Sequence, residues 1–271
     1  MDLIDPRLPP ELEHKIFEIA ALARLRRVPT LMLVARRVKC WVEPLLYRVV
    51  QLYDHSALDA FGIPAFSVDA PERKSSHFFR HVRNLFIGTA IKEVAVKSWL
   101  LACPNTTNLY AMFDVTPEII PCLSCFTSVR YLTIESRALS LSSASFPLFL
   151  SVTHLELLDS IDDIDRVCGN IALIPRLTHI ALNKYLPSRL SHAALCNNGQ
   201  LQCIVFLSAE MLLDASPLLD DVRFVCIRET VQYWIDWLQG AVSGDDYWSL
   251  ADTFLAARRA GEIDRTYPAR D

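Results

Sequence analysis

Val152-Thr-His-Leu155-Glu-Leu157 is one of seven stretches that repeat the same apolar spacing along the chain. In each stretch, apolar or small residues stand at the first, fourth and sixth positions. The central residues of consecutive stretches are 21 to 25 positions apart. This period predicts stacked units with one strand each, since a unit of that length cannot bury its own apolar face. The other stretches are Val82–Ile87, Thr106–Ala111, Val129–Ile134, Leu177–Leu182, Leu201–Phe206 and Val222–Ile227.

The spacing between the stretches leaves room for a strand, a turn, a helix and a return. We therefore predict an α/β fold in which a helical module precedes a solenoid and two further helices cover the end of the stack. The predicted boundaries are residues 1–52 for the N-terminal helical module, 53–76 for a connector, 77–229 for about seven irregular solenoid units and 230–271 for a helical C-terminal cap.

Proline and glycine positions predict where helices break or end. Pro44 is expected to separate two short helices within residues 31–50, because proline disrupts a helix interior. Gly240 is expected to follow the last residue of the first C-terminal helix, where glycine is favoured. Asp245 and Asp246 are expected to begin the second C-terminal helix, since acidic residues suit a helix N-terminus.

The composition argues against several classes of protein. The 271 residues are 52% apolar, which favours a large core, and the net charge of −4 argues against nucleic acid as a partner. The sequence contains no run of 18 apolar residues, so it predicts no membrane span. The first residues lack the basic and apolar regions of a signal peptide, so we expect an intracellular protein, cytoplasmic or nuclear. The eight cysteines are expected to be reduced thiols with structural roles.

Motifs for catalysis, cofactors and metals are missing from the sequence. The seven glycines form neither a dinucleotide-binding nor a phosphate-binding loop, and no serine has the glycine neighbours of a nucleophile elbow. Cys122 and Cys125 form a lone C-x2-C pair without a second pair to complete a zinc site. His77 and His81 could share a helix face, but we interpret them as a surface pair. We expect no enzyme, no cofactor and no metal.

The residues between the apolar positions of each strand should point to the opposite, concave face of the sheet. Tyr131, His154 and His179 are predicted to form a column across three neighbouring strands. Phe224 is expected on the same face. Such a face suits protein recognition, although an ordinary solvated sheet face explains the pattern equally well. The candidate target-binding residues are Tyr110, Tyr131, His154, Glu156, His179 and Asn183.

Two N-terminal stretches carry a family resemblance. Leu8-Pro9-Pro10-Glu11-Leu12, with Ile16-Phe17 after three further residues, resembles the opening of an F-box. Leu33-Val34-Ala35-Arg36-Arg37-Val38-Lys39-Cys40-Trp41 is similar to its later part, with Ala35 at the usual cysteine position. The chain as a whole resembles fungal F-box-like proteins with degenerate leucine-rich repeats.

That resemblance implies a substrate-recognition subunit of an SCF-type ubiquitin ligase. It would bind a Skp-type adaptor and the cullin ligase core through the box, and an unknown target protein through the repeats. The implied adaptor-binding residues are Leu8, Pro9, Leu12, Ile16, Phe17, Leu33, Val34, Trp41 and Leu46. Two alternatives stay open: these apolar residues dock on the first repeat, or the chain is a binding scaffold whose box recruits no ligase.

Overall fold

An eight-stranded parallel sheet forms the centre of the mixed α/β fold. The computed structural model describes residues 8–52, 63, 66–73, 76–141, 146–158, 164–183, 189–207, 216–227 and 233–263. Most of the predicted connector, residues 53–76, lies outside this part. The strands are β1 Val49–Leu52, β2 Asn84–Ile87, β3 Asn108–Ala111, β4 Tyr131–Glu135, β5 His154–Leu158, β6 His179–Leu182, β7 Cys203–Phe206 and β8 Phe224–Cys226.

Strand order in the sheet follows chain order from β1 to β8, and every neighbouring pair is parallel. Each of the seven repeated stretches holds one strand, from β2 to β8, as the apolar spacing predicts. Parallel neighbours need a connection that returns the chain to the same edge, and most of the helices lie in these connections.

Twelve α-helices lie in the described part of the chain. They are α1 Pro10–Ala23, α2 Val28–Leu31, α3 Arg36–Leu46, α4 Ala70–Arg73, α5 Ser76–Phe79, α6 Glu93–Ala102, α7 Ile120–Leu123, α8 Ser136–Leu141, α9 Ile164–Ala172, α10 Arg189–Asn197, α11 Tyr233–Ser243 and α12 Tyr247–Arg259. Short 3-10 turns at Leu25–Arg27, Pro147–Leu150 and Pro217–Asp220 complete the connections. None of the helices described is long and apolar enough to cross a membrane.

The N-terminal module differs from prediction at its C-terminal end. Pro44 lies inside α3 instead of separating two helices. It lies two residues before the end of α3, so the hydrogen bond that its nitrogen cannot donate is missing only from the last turn. Residues 49–52, expected in the helical module, form β1 and pair with β2. The sheet therefore gains an eighth strand from a segment without the repeated spacing.

The main core lies between one face of the sheet and the connecting helices. Leu155 and Leu157 from β5 are at most 1% exposed, and they join the equivalent apolar residues of the other strands. Helix α6 adds Trp99 and Leu100, both fully buried. This face is apolar along the whole sheet, because alternate strand residues point to it.

In the last strand, the side chains point to the opposite faces of the sheet from those predicted. Phe224 pairs with Ile204 and joins the main core, whereas Val225 lies on the second face. Val222, the expected first apolar position of this unit, is 70% exposed. The last unit follows the shortest step of the series, and a shift of one residue exchanges the two faces of a strand.

The two C-terminal helices lie across the second face of the sheet, whereas the sequence placed them over its end. Trp237 and Leu238 of α11 pack with Phe86 and Tyr110 from β2 and β3. On the same face, five residues of α12 pack on β6, β7 and β8 near the opposite edge of the sheet: Tyr247, Trp248, Ala251, Phe254 and Leu255. The sheet is therefore covered by apolar contacts on both faces.

The turn between α11 and α12 depends on two glycines. Helix α11 continues through Gly240 to Ser243, so the predicted end at Gly240 is wrong. Gly244 instead follows the helix with φ of +85°, a backbone conformation that favours glycine. A side chain at position 240 would collide with that of Asp246, which caps α12 by accepting from the Ser249 amide at 2.9 Å.

Candidate functional site

Large apolar side chains are exposed on the N-terminal helical module. We call this set the N-terminal patch; its predicted members are Leu8, Pro9, Leu12, Ile16, Leu33 and Val34. Leu12 and Ile16, one turn apart on α1, are 54% and 51% exposed. Leu33 and Val34, between α2 and α3, are 86% and 61% exposed. All four side chains are therefore more than half exposed in the described part of the chain, and the alternative that they dock on the first repeat stays untested.

The other three predicted adaptor-binding residues are partly buried. Phe17, Trp41 and Leu46 pack against a separate small core formed by Ala21, Val28, Val38 and Val42. These three side chains therefore hold the helices together, and Trp41 also stacks on His14 with ring centroids 5.1 Å apart.

A bidentate ion pair joins the first and third helices of this module. The Arg37 guanidinium donates to both carboxylate oxygens of Glu13, at 2.7 and 3.0 Å. The partners are 24 positions apart, so the pair links α1 to α3 directly. Bidentate geometry is the arrangement in which an exposed pair contributes to orientation. It keeps the segments that carry Leu12 and Leu33 in a defined arrangement.

The six candidate target-binding residues do not form an open face. Tyr110 and Glu156 are each 2% exposed, because α11 and α12 cover their part of the sheet. His154, His179 and Asn183 are half-buried, and Tyr131 is 37% exposed. The expected exposure is therefore wrong for Tyr110 and Glu156, and the role of the six in target binding stays a prediction.

The predicted column of Tyr131, His154 and His179 is confirmed as an arrangement in space. The register pairs Tyr131 with His154 and His154 with His179. Their rings stack in sequence, with centroids 4.3 Å apart in the first pair and 4.1 Å in the second. Trp248 of α12 meets both imidazoles edge-on.

Asp252 of α12 completes this cluster. Its Oδ1 lies 3.0 Å from Nε2 of His179. One ligand atom from each of His154, His179 and Asp252 lies within 4.8 Å of the others. Burial, together with the neighbouring His179, lowers the pKa of His154 to about 3, so His154 is neutral at physiological pH. These are the described side chains that could hold a metal ion together.

A buried acidic cluster lies beside the column, under the turn between α11 and α12. Glu156 accepts a hydrogen bond from the Thr133 hydroxyl at 2.8 Å, and the Tyr247 side chain lies against the same carboxyl group. Asp236 accepts from the Tyr247 amide at 2.9 Å. Burial raises the pKa of Glu156 to about 7 and that of Asp246 to about 6. Burial therefore favours the protonated form of both carboxyl groups at the contact between sheet and helices.

A polar groove of about 1070 Å³ runs along the ends of the strands next to the column. Tyr131 and His154 form part of its wall, and Arg83, Arg130 and Arg176 give it positive charge. The remaining lining residues are serines and threonines, with no acidic residue among the described ones. The groove lies where the chain enters β2 to β6, beside the column.

The cysteine and histidine pairs noted in the sequence do not form sites with a third ligand. Cys122 is buried and Cys125 is exposed, and the eight cysteines, all among the described residues, form no disulfide. His77 and His81 lie with ring centroids 5.7 Å apart, edge to face. No third metal-ligating side chain joins either pair among the residues described.

Trp237, Trp248 and Asp252 are the residues of this region that sequence reasoning missed. The apolar spacing of both C-terminal helices was visible, but it does not say which surface the helices cover. The Trp237 indole donates to Asn108 Oδ1 at 2.9 Å across 129 positions of sequence. Contacts of that separation leave no local signal.

The chain matches no protein-family model, no curated protein and no solved structure.

Proposed function

We propose that this protein is a non-catalytic substrate receptor of an SCF-type ubiquitin ligase. The N-terminal patch would bind a Skp-type adaptor, which in turn contacts the cullin core. The observation that supports this proposal most strongly is the exposure of Leu12, Ile16, Leu33 and Val34 on a module that already has its own core.

Large apolar side chains recur among the exposed residues of α1 and of the segment just before it. Leu8, Leu12, Ile16 and Ile19 follow one another at four- and three-residue spacing, and all are more than half exposed. This spacing gives α1 an apolar stripe that faces solvent. A contiguous apolar surface of this kind is typical of an interface, and a stripe on a helix suits docking against partner helices.

The sheet and its connections support a leucine-rich-repeat-like solenoid as the finer description of the fold. Strands adjacent in sequence are adjacent in the sheet, with one strand for each 21- to 25-residue unit. Each unit therefore contacts chiefly its neighbours, which is the defining property of a solenoid. In this proposal α11 and α12 fill the concave face, in contrast to an open repeat surface.

The polar groove is the part of the repeat region that we assign to the target. It is open to solvent, and Arg83, Arg130 and Arg176 line it, with no acidic residue among the described lining residues. Tyr131 adds an aromatic surface at its edge. Arginine and tyrosine are enriched in protein interfaces, and the charge favours an acidic segment of the target.

The test is a pull-down of a purified Skp-type adaptor with the full chain and two double variants. Leu12→Asp/Ile16→Asp places charges in the N-terminal patch, and we expect it to abolish capture. Val94→Asp/Leu101→Asp is the matched control, because these residues are 73% and 59% exposed on α6, outside the patch. Circular dichroism of each protein checks that it is folded.

Capture by the wild type and the control, but not by the patch variant, supports the proposal. Failure of the folded wild-type chain to capture the adaptor refutes it and leaves the alternative of a repeat scaffold without a ligase. Equal loss of adaptor capture in both double variants also contradicts the proposal, because it would show that the N-terminal patch is not specifically required.

A further inference from the structure

Three metal-ligating side chains meet where the second C-terminal helix crosses the sheet. His154 comes from β5, His179 from β6 and Asp252 from α12. Two imidazole nitrogens and a carboxylate oxygen form a ligand set that divalent transition metals accept. The His179–Asp252 distance of 3.0 Å is close to the roughly 3.3 Å that separates two ligands of a tetrahedral zinc ion.

Each imidazole is oriented by the threonine that precedes it. The Thr153 hydroxyl lies 2.9 Å from Nδ1 of His154, and the Thr178 hydroxyl lies 2.7 Å from Nδ1 of His179. The Thr153 hydroxyl also donates to the backbone carbonyl of Arg130 at 3.2 Å. In the same way, the Thr178 hydroxyl donates to the backbone carbonyl of Thr153 at 3.2 Å. The two threonines therefore hold both rings by the same nitrogen, as expected of groups that position metal ligands.

These hydrogen bonds allow the proton arrangement that a metal ion requires. A threonine that donates to its carbonyl can accept from the Nδ1–H of the imidazole, which leaves the lone pair on Nε2. In this arrangement Nε2 of His179 faces Asp252 Oδ1 with acceptor against acceptor, and a cation between the two atoms would satisfy both. The same arrangement at Thr153 leaves the lone pair of His154 on its Nε2.

The surroundings of the cluster suit an ion on one side and exclude water on the other. Trp248 packs edge-on against both imidazoles and closes one side of the cluster. The Asp252 side chain is 57% exposed, so it can adjust to an ion and leave an approach from solvent. A site with three protein ligands leaves a fourth tetrahedral position for water.

We propose that His154, His179 and Asp252 form a binding site for a divalent transition metal, with Zn²⁺ as the ion that fits the ligands. The ion bridges β5, β6 and α12, so its binding strengthens the attachment of α12 to the sheet. The site is independent of the adaptor proposal. No local motif signals it, because the ligands are 25 and 73 positions apart and the third depends on where α12 lies.

The experiment is a titration of the chelator-treated full chain with ZnCl₂, followed by isothermal calorimetry and by thermal unfolding. We expect one equivalent of zinc to bind and to raise the unfolding temperature. Asp252→Asn and His179→Gln should each weaken the zinc affinity at least about tenfold and reduce the zinc-dependent rise in unfolding temperature. Co²⁺ should give the visible absorption of tetrahedral coordination in the wild type, and this absorption should be lost in both variants.

The control variant is His77→Ala/His81→Ala, which removes the other histidine pair described above. It should bind zinc as the wild type does. If Asp252→Asn lowers the unfolding temperature of the metal-free protein but leaves zinc affinity unchanged, Asp252 is only a hydrogen-bond partner and the proposal is refuted. Absence of one-equivalent binding, or its loss in the control alone, refutes it as well.

Discussion

Glu156 offers the sharpest test of the contact between the sheet and the C-terminal helices. The side chain is 2% exposed, and its pKa is raised from 4.5 to about 7. Burial is the main cause, and the nearby carboxylates of Asp236 and Asp246 act in the same direction. The hydrogen bonds from Thr133 and Tyr247 oppose this increase. The folded protein therefore holds a proton on Glu156 that the unfolded chain has already released at pH 6.

This difference makes stability depend on pH with a defined sign. Because the folded pKa is higher than the unfolded one, the stabilisation is complete below about pH 4.5 and is lost as the pH rises towards 7. The difference between the unfolded pKa of 4.5 and the folded pKa of about 7 corresponds to about 3 kcal/mol in the free energy of unfolding. Glu156→Gln carries no charge at any pH and keeps the shape of the side chain. The variant should therefore not lose this stability as the pH rises.

The assay is urea denaturation of the wild type and Glu156→Gln between pH 4.5 and 7.5, followed by circular dichroism. We expect the variant to gain up to about 3 kcal/mol relative to the wild type across this range. Asp245→Asn, at an exposed carboxyl group of the same turn, controls for removal of a negative charge. Parallel stability curves for the wild type and Glu156→Gln would refute the burial argument.

Two further predictions concern the same helices. Trp237→Ala should lower the free energy of unfolding by about 3–5 kcal/mol, because it removes the contacts with Phe86 and Tyr110 and the hydrogen bond to Asn108. Urea denaturation measures this, and a loss below 1 kcal/mol would mean that α11 is not held on the sheet in solution. Gly240→Ala should cost about 1–3 kcal/mol, because the new methyl group meets Asp246. An unchanged unfolding temperature of that variant would contradict the close approach.

The sequence predicts the strands well because their signal is local. Leu155 and Leu157 alternate with polar neighbours within six residues, and this alternation alone assigns each side chain to one of two faces. The same regularity places His154 beside Tyr131 and His179, since parallel units in register bring equivalent positions together. The last strand is the exception: a shorter step moved Phe224 into the core, and one residue is enough to exchange the faces.

The sequence by itself determined where β2 to β8 lie, that Tyr131, His154 and His179 share a column, and which N-terminal residues are too apolar to be ordinary surface. Only the tertiary structure decided that β1 joins the sheet and that α11 and α12 cover its second face. That placement buried Tyr110 and Glu156 and brought Asp252 to the two histidines. The physical reason is the range of the interactions. Strand alternation is a property of a few consecutive residues, whereas the position of α11 depends on contacts such as Trp237 with Asn108, 129 residues apart.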